Sequence, residues 1–237
     1  MHNIVFILSY PILKKLDIIY EDISFMVINK PAGICTQGGY GIKVSLDKII
    51  EQILNSRPFL VHRLDRDTSG LVIVAKNSET AAWFSKSINK IIKRYMAICK
   101  GIPARESGVI SVGLNIQGSI KKCETKYKLV DIFRSIEEFS MLELELGTGR
   151  MHQIRRSLSL IGNPILGDDK YGDFKLNRNL KKTIKLNSLL LFASRLIIPD
   201  TCPGRKKFDI KAPMPENFKH FLENYSKLGI IESGERS

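Results

Sequence analysis

The apolar positions of this chain change period several times, and each change marks an element. Leu71 to Ala75 is an unbroken apolar run, the mark of a buried strand. Leu142, Leu144 and Leu146 alternate with Met141, Glu143 and Glu145, the pattern of a half-buried strand that Gly147-Thr148-Gly149 ends. From Met151 the period becomes helical, with Ile154, Leu158 and Ile161 on one face and His152, Arg155, Arg156 and Ser159 on another. The same reading predicts strands near Ile18 to Tyr20, Phe25 to Asn29, Leu71 to Lys76, Arg94 to Cys99, Thr125 to Asp131, Met141 to Leu146 and Leu189 to Ile198. It predicts helices near Val44 to Leu54, Glu79 to Ile88, Met151 to Ile161 and Glu216 to Tyr225. Strands that follow one another without regular helical crossovers imply an α+β fold with a largely antiparallel sheet.

Composition narrows the partners. The 37 Lys and Arg residues against 24 Asp and Glu give a formal charge of +13, which favours a polyanion, although Lys, Ile and Asn are abundant throughout. Basic clusters stand at Lys121-Lys122, at Lys181-Lys182 with Lys185, and at Arg205-Lys206-Lys207; each alone reads as a solvated surface. Together with Lys90, Lys93 and Arg94 they are candidates for one anion-facing side. Cys35, Cys99, Cys123 and Cys202 are scattered without ligand spacing, so reduced thiols, a cytoplasmic location and no zinc site are expected. The run Val5 to Leu8 is too short to span a bilayer, lacks a basic start and precedes Pro11. It is expected to be a strand or packed arm, with no membrane association.

Candidate chemistry concentrates in two segments. His62-Arg63-Leu64-Asp65-Arg66-Asp67-Thr68-Ser69-Gly70 places two carboxylates and two guanidinium groups at the mouth of the Leu71 strand. Asp67 through Gly70 read equally well as a turn. Asp65, between Arg63 and Arg66 and after an apolar Leu64, suits a carboxylate kept ionised by basic neighbours, able to act as nucleophile, general base or cation anchor. The second segment, Gly147 to Arg155, puts Arg150 ahead of a helix start behind glycines, where free amides and the dipole favour phosphate. A solvated basic face is the bland alternative, above all for Arg156.

These segments resemble the RluA-type pseudouridine synthases. That family's signature loop reads His-Arg-Leu-Asp, two variable residues, then Thr-Ser-Gly, as residues 62–70 do. Gly147 to Arg155 resembles its Thr-Gly-Arg-x-His-Gln-Ile-Arg motif, and Gly162 to Asp168 with Tyr171-Gly172 its Gly-x-Pro-Ile-x-Gly-Asp and Tyr-Gly. Asn29-Lys30-Pro31-Ala32-Gly33, Lys93-Arg94-Tyr95-Met96-Ala97 and Ala212-Pro213-Met214-Pro215 follow its remaining motifs, so the resemblance spans Ile18 to Leu222. It departs at Met151, Arg156-Ser157, Asn163 and Phe192, which bears on the RNA target more than on the chemistry.

The resemblance implies isomerisation of uridine to pseudouridine within RNA, with no metal and no cofactor. It assigns catalysis to Asp65, a stacking role on the uracil to Tyr95 and a pairing with Asp65 to Arg155. Arg63 would fill the space of the flipped base, and His62, Arg66, Arg150, His152, Gln153 and Arg156 would contact RNA. The implied fold is a long bent, largely antiparallel mixed sheet flanked by helices, with a cleft across its middle. The expected layout is an N-terminal arm at 1–17, a single catalytic domain at 18–225 and a flexible C-terminal tail at 226–237. There is no room for the small N-terminal RNA-binding module of several relatives, so recognition is expected from the catalytic domain or its tail. Large-subunit ribosomal RNA is the expected target ahead of transfer RNA, bound by a monomer without an obligate protein partner.

Two rival classes share some of these motifs. A protein kinase is excluded by the leucine inside His-Arg-Leu-Asp, the short distance from Gly39-Tyr40-Gly41 and the missing Asp-Phe-Gly. A non-catalytic RNA-binding or ribosome-assembly protein on the same fold is opposed by the intact Asp65, Tyr95 and Arg155, because a pure binder gains nothing from a carboxylate facing phosphates.

Overall fold

The structure is a computed structural model that describes residues 4–5, 16–116, 119–135, 137–146, 149–200 and 207–229. It divides into two compact units, Met1–Lys93 with Ala193–Pro213, and Arg94–Phe192 with Met214–Ser237. Each is α+β with antiparallel pairing, as the strand pattern predicts.

In the first unit, strands β1 (Ile4–Val5), β2 (Leu16–Glu21), β3 (Phe25–Lys30) and β5 (Ser69–Ala75) pair antiparallel in that order. The two-residue β4 (Phe59–Leu60) also pairs with β5. Strand β10 (Leu191–Ile198) enters this unit at Ala193 and pairs with β11 (Phe208–Lys211). Helix α1 (Leu46–Leu54) and helix α2 (Ser78–Ser87) complete it, the latter capped by the Asn77 side chain. Phe25, Val27, Leu71, Ile73 and Ala75 of adjoining strands pack with Phe84 of α2 and with Leu196, Ile198 and Ile210. The alternate residues Met26, Ile28, Val72 and Val74 are buried as well, so β5 is covered on both faces, as its unbroken apolar run requires.

The second unit is built on β6 (Ile92–Lys100), β9 (Glu138–Leu146), β8 (Ser119–Arg134) and β7 (Ser107–Ile116), adjacent in that order and antiparallel. Helix α3 (Gln153–Leu160) is tied to β8 by a hydrogen bond between Ser157 and Thr125, both buried. Helix α4 (Phe174–Thr183) was not predicted, and neither was β7. Helix α5 (Glu216–Asn224) packs Phe221 between Phe133 and Phe139.

Three expectations change here. The helix predicted from Met151 begins at Gln153, because His152 adopts a left-handed φ of 54°. It ends at Leu160, so Ile161 leaves the apolar stripe and is exposed. Lys93, offered as part of a basic side, is buried and donates to the carbonyls of Ile88 and Ile91. Of the N-terminal arm, Phe6 to Lys15 lie outside the described residues, as do Gly147-Thr148, Arg205-Lys206 and residues 230–237 of the tail.

One backbone constraint sets the base of the signature loop. Gly70, the first paired residue of β5 beside Lys30, has φ 107° and runs so close to β10 that an added Cβ would lie 2.3 Å from the Ala193 carbonyl oxygen. Alanine there meets both a disallowed φ and a backbone clash that no rotamer relieves. Gly70→Ala is expected to destabilise the protein by roughly 2–4 kcal/mol, read as a lower midpoint in urea unfolding. A change under about 0.5 kcal/mol would show that the two strands do not approach so closely.

Candidate active site

In the first unit the signature loop is fastened by two buried side chains that precede it in sequence. Strand parity puts Lys30 on the same face as Met26 and Ile28, and it is wholly buried. Its ammonium donates to the carbonyls of Pro31 at 2.9 Å, Ile34 at 2.8 Å and Arg66 at 3.1 Å. The Arg66 carbonyl takes a second bond from the Gly33 amide at 2.9 Å, so the Asn-Lys-Pro-Ala-Gly turn is joined to the residue after Asp65. On the other side of Asp65, the Thr36 hydroxyl donates to the Leu64 carbonyl at 2.8 Å and accepts from the Leu64 amide at 3.1 Å. The Asp65 carbonyl accepts from the Thr68 amide at 3.2 Å and closes the turn. The backbone is therefore held on both flanks of Asp65, whose side chain stays partly exposed.

The electrostatics follow from burial. Desolvation pushes the Lys30 pKa down to about 8, against the pull of the Asp67, Cys35 and Asp65 charges that would raise it. His62 accepts from the Ile73 amide at Nε2, 3.2 Å away, which assigns its proton to Nδ1. Burial, aided by the Lys93 charge, pushes its pKa down to about 3, so it is a neutral strut near pH 7. Arg63 and Arg66 are exposed; Arg63 reaches the Gln37 side chain at 3.3 Å, and Arg66 lies 3.5 Å from Asp67 in a solvent-screened pair.

In the second unit Arg155 is buried, contrary to the polar helical face predicted for it. Its Nε donates to Asp168 Oδ2 at 2.8 Å and its Nη2 to Asp168 Oδ1 at 2.7 Å, a two-pronged pair in the interior. Nη2 also reaches Asp169 at 2.8 Å, and the guanidinium lies 5.4 Å from the centre of the Tyr171 ring. Burial alone would raise the Asp168 pKa. The Arg155 hydrogen bonds and the Tyr171 and Lys170 amides outweigh it and hold the carboxyl below the usual range. The partner implied for Arg155 by resemblance, Asp65, belongs to the other unit; the partners seen within its own are these.

The remaining candidates divide into surface and framework. Arg150 is exposed and Arg156 partly so. His152 is partly buried, with Nδ1 3.2 Å from the Tyr171 hydroxyl. Gln153 is buried, and its amide donates to the Glu124 carbonyl at 2.9 Å while its oxygen accepts from the Arg150 amide at 3.2 Å. It positions the start of α3 on β8. Tyr95 is buried on β6 opposite Leu144 of β9. Among the described residues no group of three His, Cys, Asp or Glu side chains is placed to hold a metal ion, and no helix is long and apolar enough to cross a membrane.

The family model for RNA pseudouridylate synthase matches residues 24–160, which takes in both the signature loop and the first turns of α3. The chain belongs to this family. The ribosomal large subunit pseudouridine synthase C of Rickettsia bellii is 34% identical over 218 residues, covering 85% of this chain and 69% of that protein. An uncharacterised RNA pseudouridine synthase of Bacillus subtilis is 31% identical over 235 residues, 90% of this chain and 74% of that one. The human RNA pseudouridylate synthase domain containing 4 shares the fold, with a TM-score of 0.71 at 24% identity over 87% of this chain and 91% of that one. The chain is thus an RNA pseudouridine synthase by family, and its signature loop lies inside the matched segment.

Sequence reasoning passed over Lys30, Thr36 and Asp168 as functional residues, although two of them stood in matched motifs. The available signal was parity: Lys30 falls at a buried position of an apolar strand, where only a cation with internal acceptors is stable. Its folded pKa lies below the value of 10.5 for the free side chain, so between about pH 8 and pH 10.5 the unfolded chain binds a proton that the folded chain has released. Stability contributed through Lys30 therefore rises with pH in that window, by at most about 3 kcal/mol. Urea unfolding from pH 7 to 10 should show the parent gaining stability relative to Lys30→Met. Parallel pH curves would contradict a buried Lys30 cation at neutral pH.

Proposed function

We propose that this synthase converts particular uridines of large-subunit ribosomal RNA to pseudouridine, with Asp65 as the acting group. The observation that carries this reading is the backbone fixed on both sides of Asp65, a residue that is itself partly exposed. Such fixation lowers the reorganisation needed when a reacting carbon is brought to the carboxylate. The name of the relative from Rickettsia bellii supports large-subunit ribosomal RNA as the substrate class.

In this proposal the uridine is flipped from its stack, at a cost of a few kcal/mol. Tyr95 supplies an aromatic face for the uracil, worth about 1–3 kcal/mol per stacked base. Arg63 fills the vacated space. Asp65 then attacks the anomeric carbon or removes a sugar proton. The bond from that carbon to N1 breaks, the uracil turns, and a bond from C5 to that carbon forms as the Asp65 ester bond breaks or, on the second route, as the sugar proton is returned; C5 gives up its proton to solvent and N1 takes one from solvent. Arg155, whose direction Asp168 fixes, keeps the catalytic assignment that the resemblance gives it. Arg66, Arg150, His152 and Arg156 contact the RNA. The enzyme acts as a monomer in the cytoplasm, on RNA alone and without a cofactor.

Release of tritium from RNA labelled at C5 of uridine tests the reading. Ribosomal RNA from cells lacking the gene is expected to release tritium with the parent, and Asp65→Asn to lower the rate by at least about 10³-fold with the fold retained. Comparable release by Asp65→Asn would remove Asp65 from the chemistry. Release from transfer RNA only would move the target.

A further inference from the structure

Helix α4 carries charge that the second unit does not use. Lys175, Arg178 and Lys182 fall at i, i+3 and i+7, one face of the helix, and all three are exposed. Among the described residues none of them has a carboxylate within ion-pair distance. Like charges three and four positions apart destabilise a helix, and Lys175 in the first turn is also opposed by the helix dipole. A helix that keeps this arrangement gains from an anion on that face.

The face lines a groove of about 560 Å³ together with Lys100, Asp173 and Glu137. The Asp173 carboxylate is already engaged: it takes the Lys100 ammonium at 2.7 Å and the amides of Lys175 and Leu176 at 3.0 Å each, capping α4. Four cations against two carboxylates leave the groove positive, with the unneutralised charge on the α4 wall.

We infer that this groove binds the phosphate backbone of the substrate RNA at nucleotides other than the modified uridine. The inference rests on the reading of the chain as an RNA-modifying enzyme and adds a second contact surface that none of the signature motifs contains. Three point charges on one helical face follow successive phosphates without reading bases, so they supply affinity and register and leave the chemical step alone.

The test is fluorescence anisotropy of a labelled ribosomal RNA fragment that the parent modifies, titrated across 50–200 mM KCl, with the triple variant Lys175→Gln, Arg178→Gln, Lys182→Gln. Circular dichroism and urea unfolding check that α4 persists, and the single variant Arg178→Gln serves if the triple is unstable. Removing three phosphate contacts is expected to weaken binding roughly tenfold and to flatten the slope of log affinity against log salt by about two. Tritium release should show a raised KM with kcat retained. A control triple at exposed positions of the first unit, Lys43→Gln, Lys48→Gln, Lys86→Gln, is expected to change the slope by less than one. An unchanged slope in the α4 variant, or an equal loss in the control, overturns the inference while leaving the enzyme reading intact. A parent that neither binds nor modifies RNA overturns that reading as well.

Discussion

The buried ammonium of Lys30 is the constraint on which the signature loop depends. An isolated lysine charge inside a protein is costly, and this one persists because three carbonyl oxygens replace its water and two aspartates of the adjoining loop offset part of the desolvation. The carbonyls come from Pro31, Ile34 and Arg66, so one cation joins the end of β3, the turn that follows it and the residue after Asp65. Thr36 performs the matching task at Leu64 with a single hydroxyl. Neither side chain is free to contact substrate. What they produce is a loop whose backbone cannot relax away from Asp65.

The second unit repeats the principle with the charges reversed. Asp168 is the buried acceptor there, and it gathers a guanidinium and two backbone amides. The Asp168 carbonyl also accepts from the Asn177 side chain, whose oxygen in turn takes the Gly167 amide. Arg155 is thereby locked in direction before any substrate arrives, with Tyr171 against its face and His152 against Tyr171. Removing Asp168 would leave a buried cation short of partners, which is more damaging than the modest net worth of the pair itself.

The buried elements were legible in the sequence because their patterns were unambiguous. The apolar run of β5 and the alternation of β9 have no second reading, and the resemblance located the loop that carries Asp65. Strand β7 escaped because Gly108 and Gly113 interrupt its pattern, and because much of its length is exposed on one face. Helix α4 was hidden by its own charges: a segment with Leu176 and Leu180 as its buried anchors reads as a basic loop unless their i, i+4 spacing is noticed. At the site, periodicity sorted Arg155 onto a polar face because it cannot know that Asp168, thirteen positions on, folds back to meet it. Periodicity also gave no sign of the bond from the Gln153 amide to a carbonyl on β8.

The proposed formation of pseudouridine in ribosomal RNA through Asp65 leaves a chemical record in the cell. The most direct measurement is carbodiimide mapping of pseudouridine across the large-subunit ribosomal RNA of cells lacking the gene and of the same cells carrying either the parent or Asp65→Asn. Discrete positions are expected to be uridine in the deletion strain, pseudouridine with the parent and uridine again with Asp65→Asn. Identical maps in all three strains would contradict that proposal.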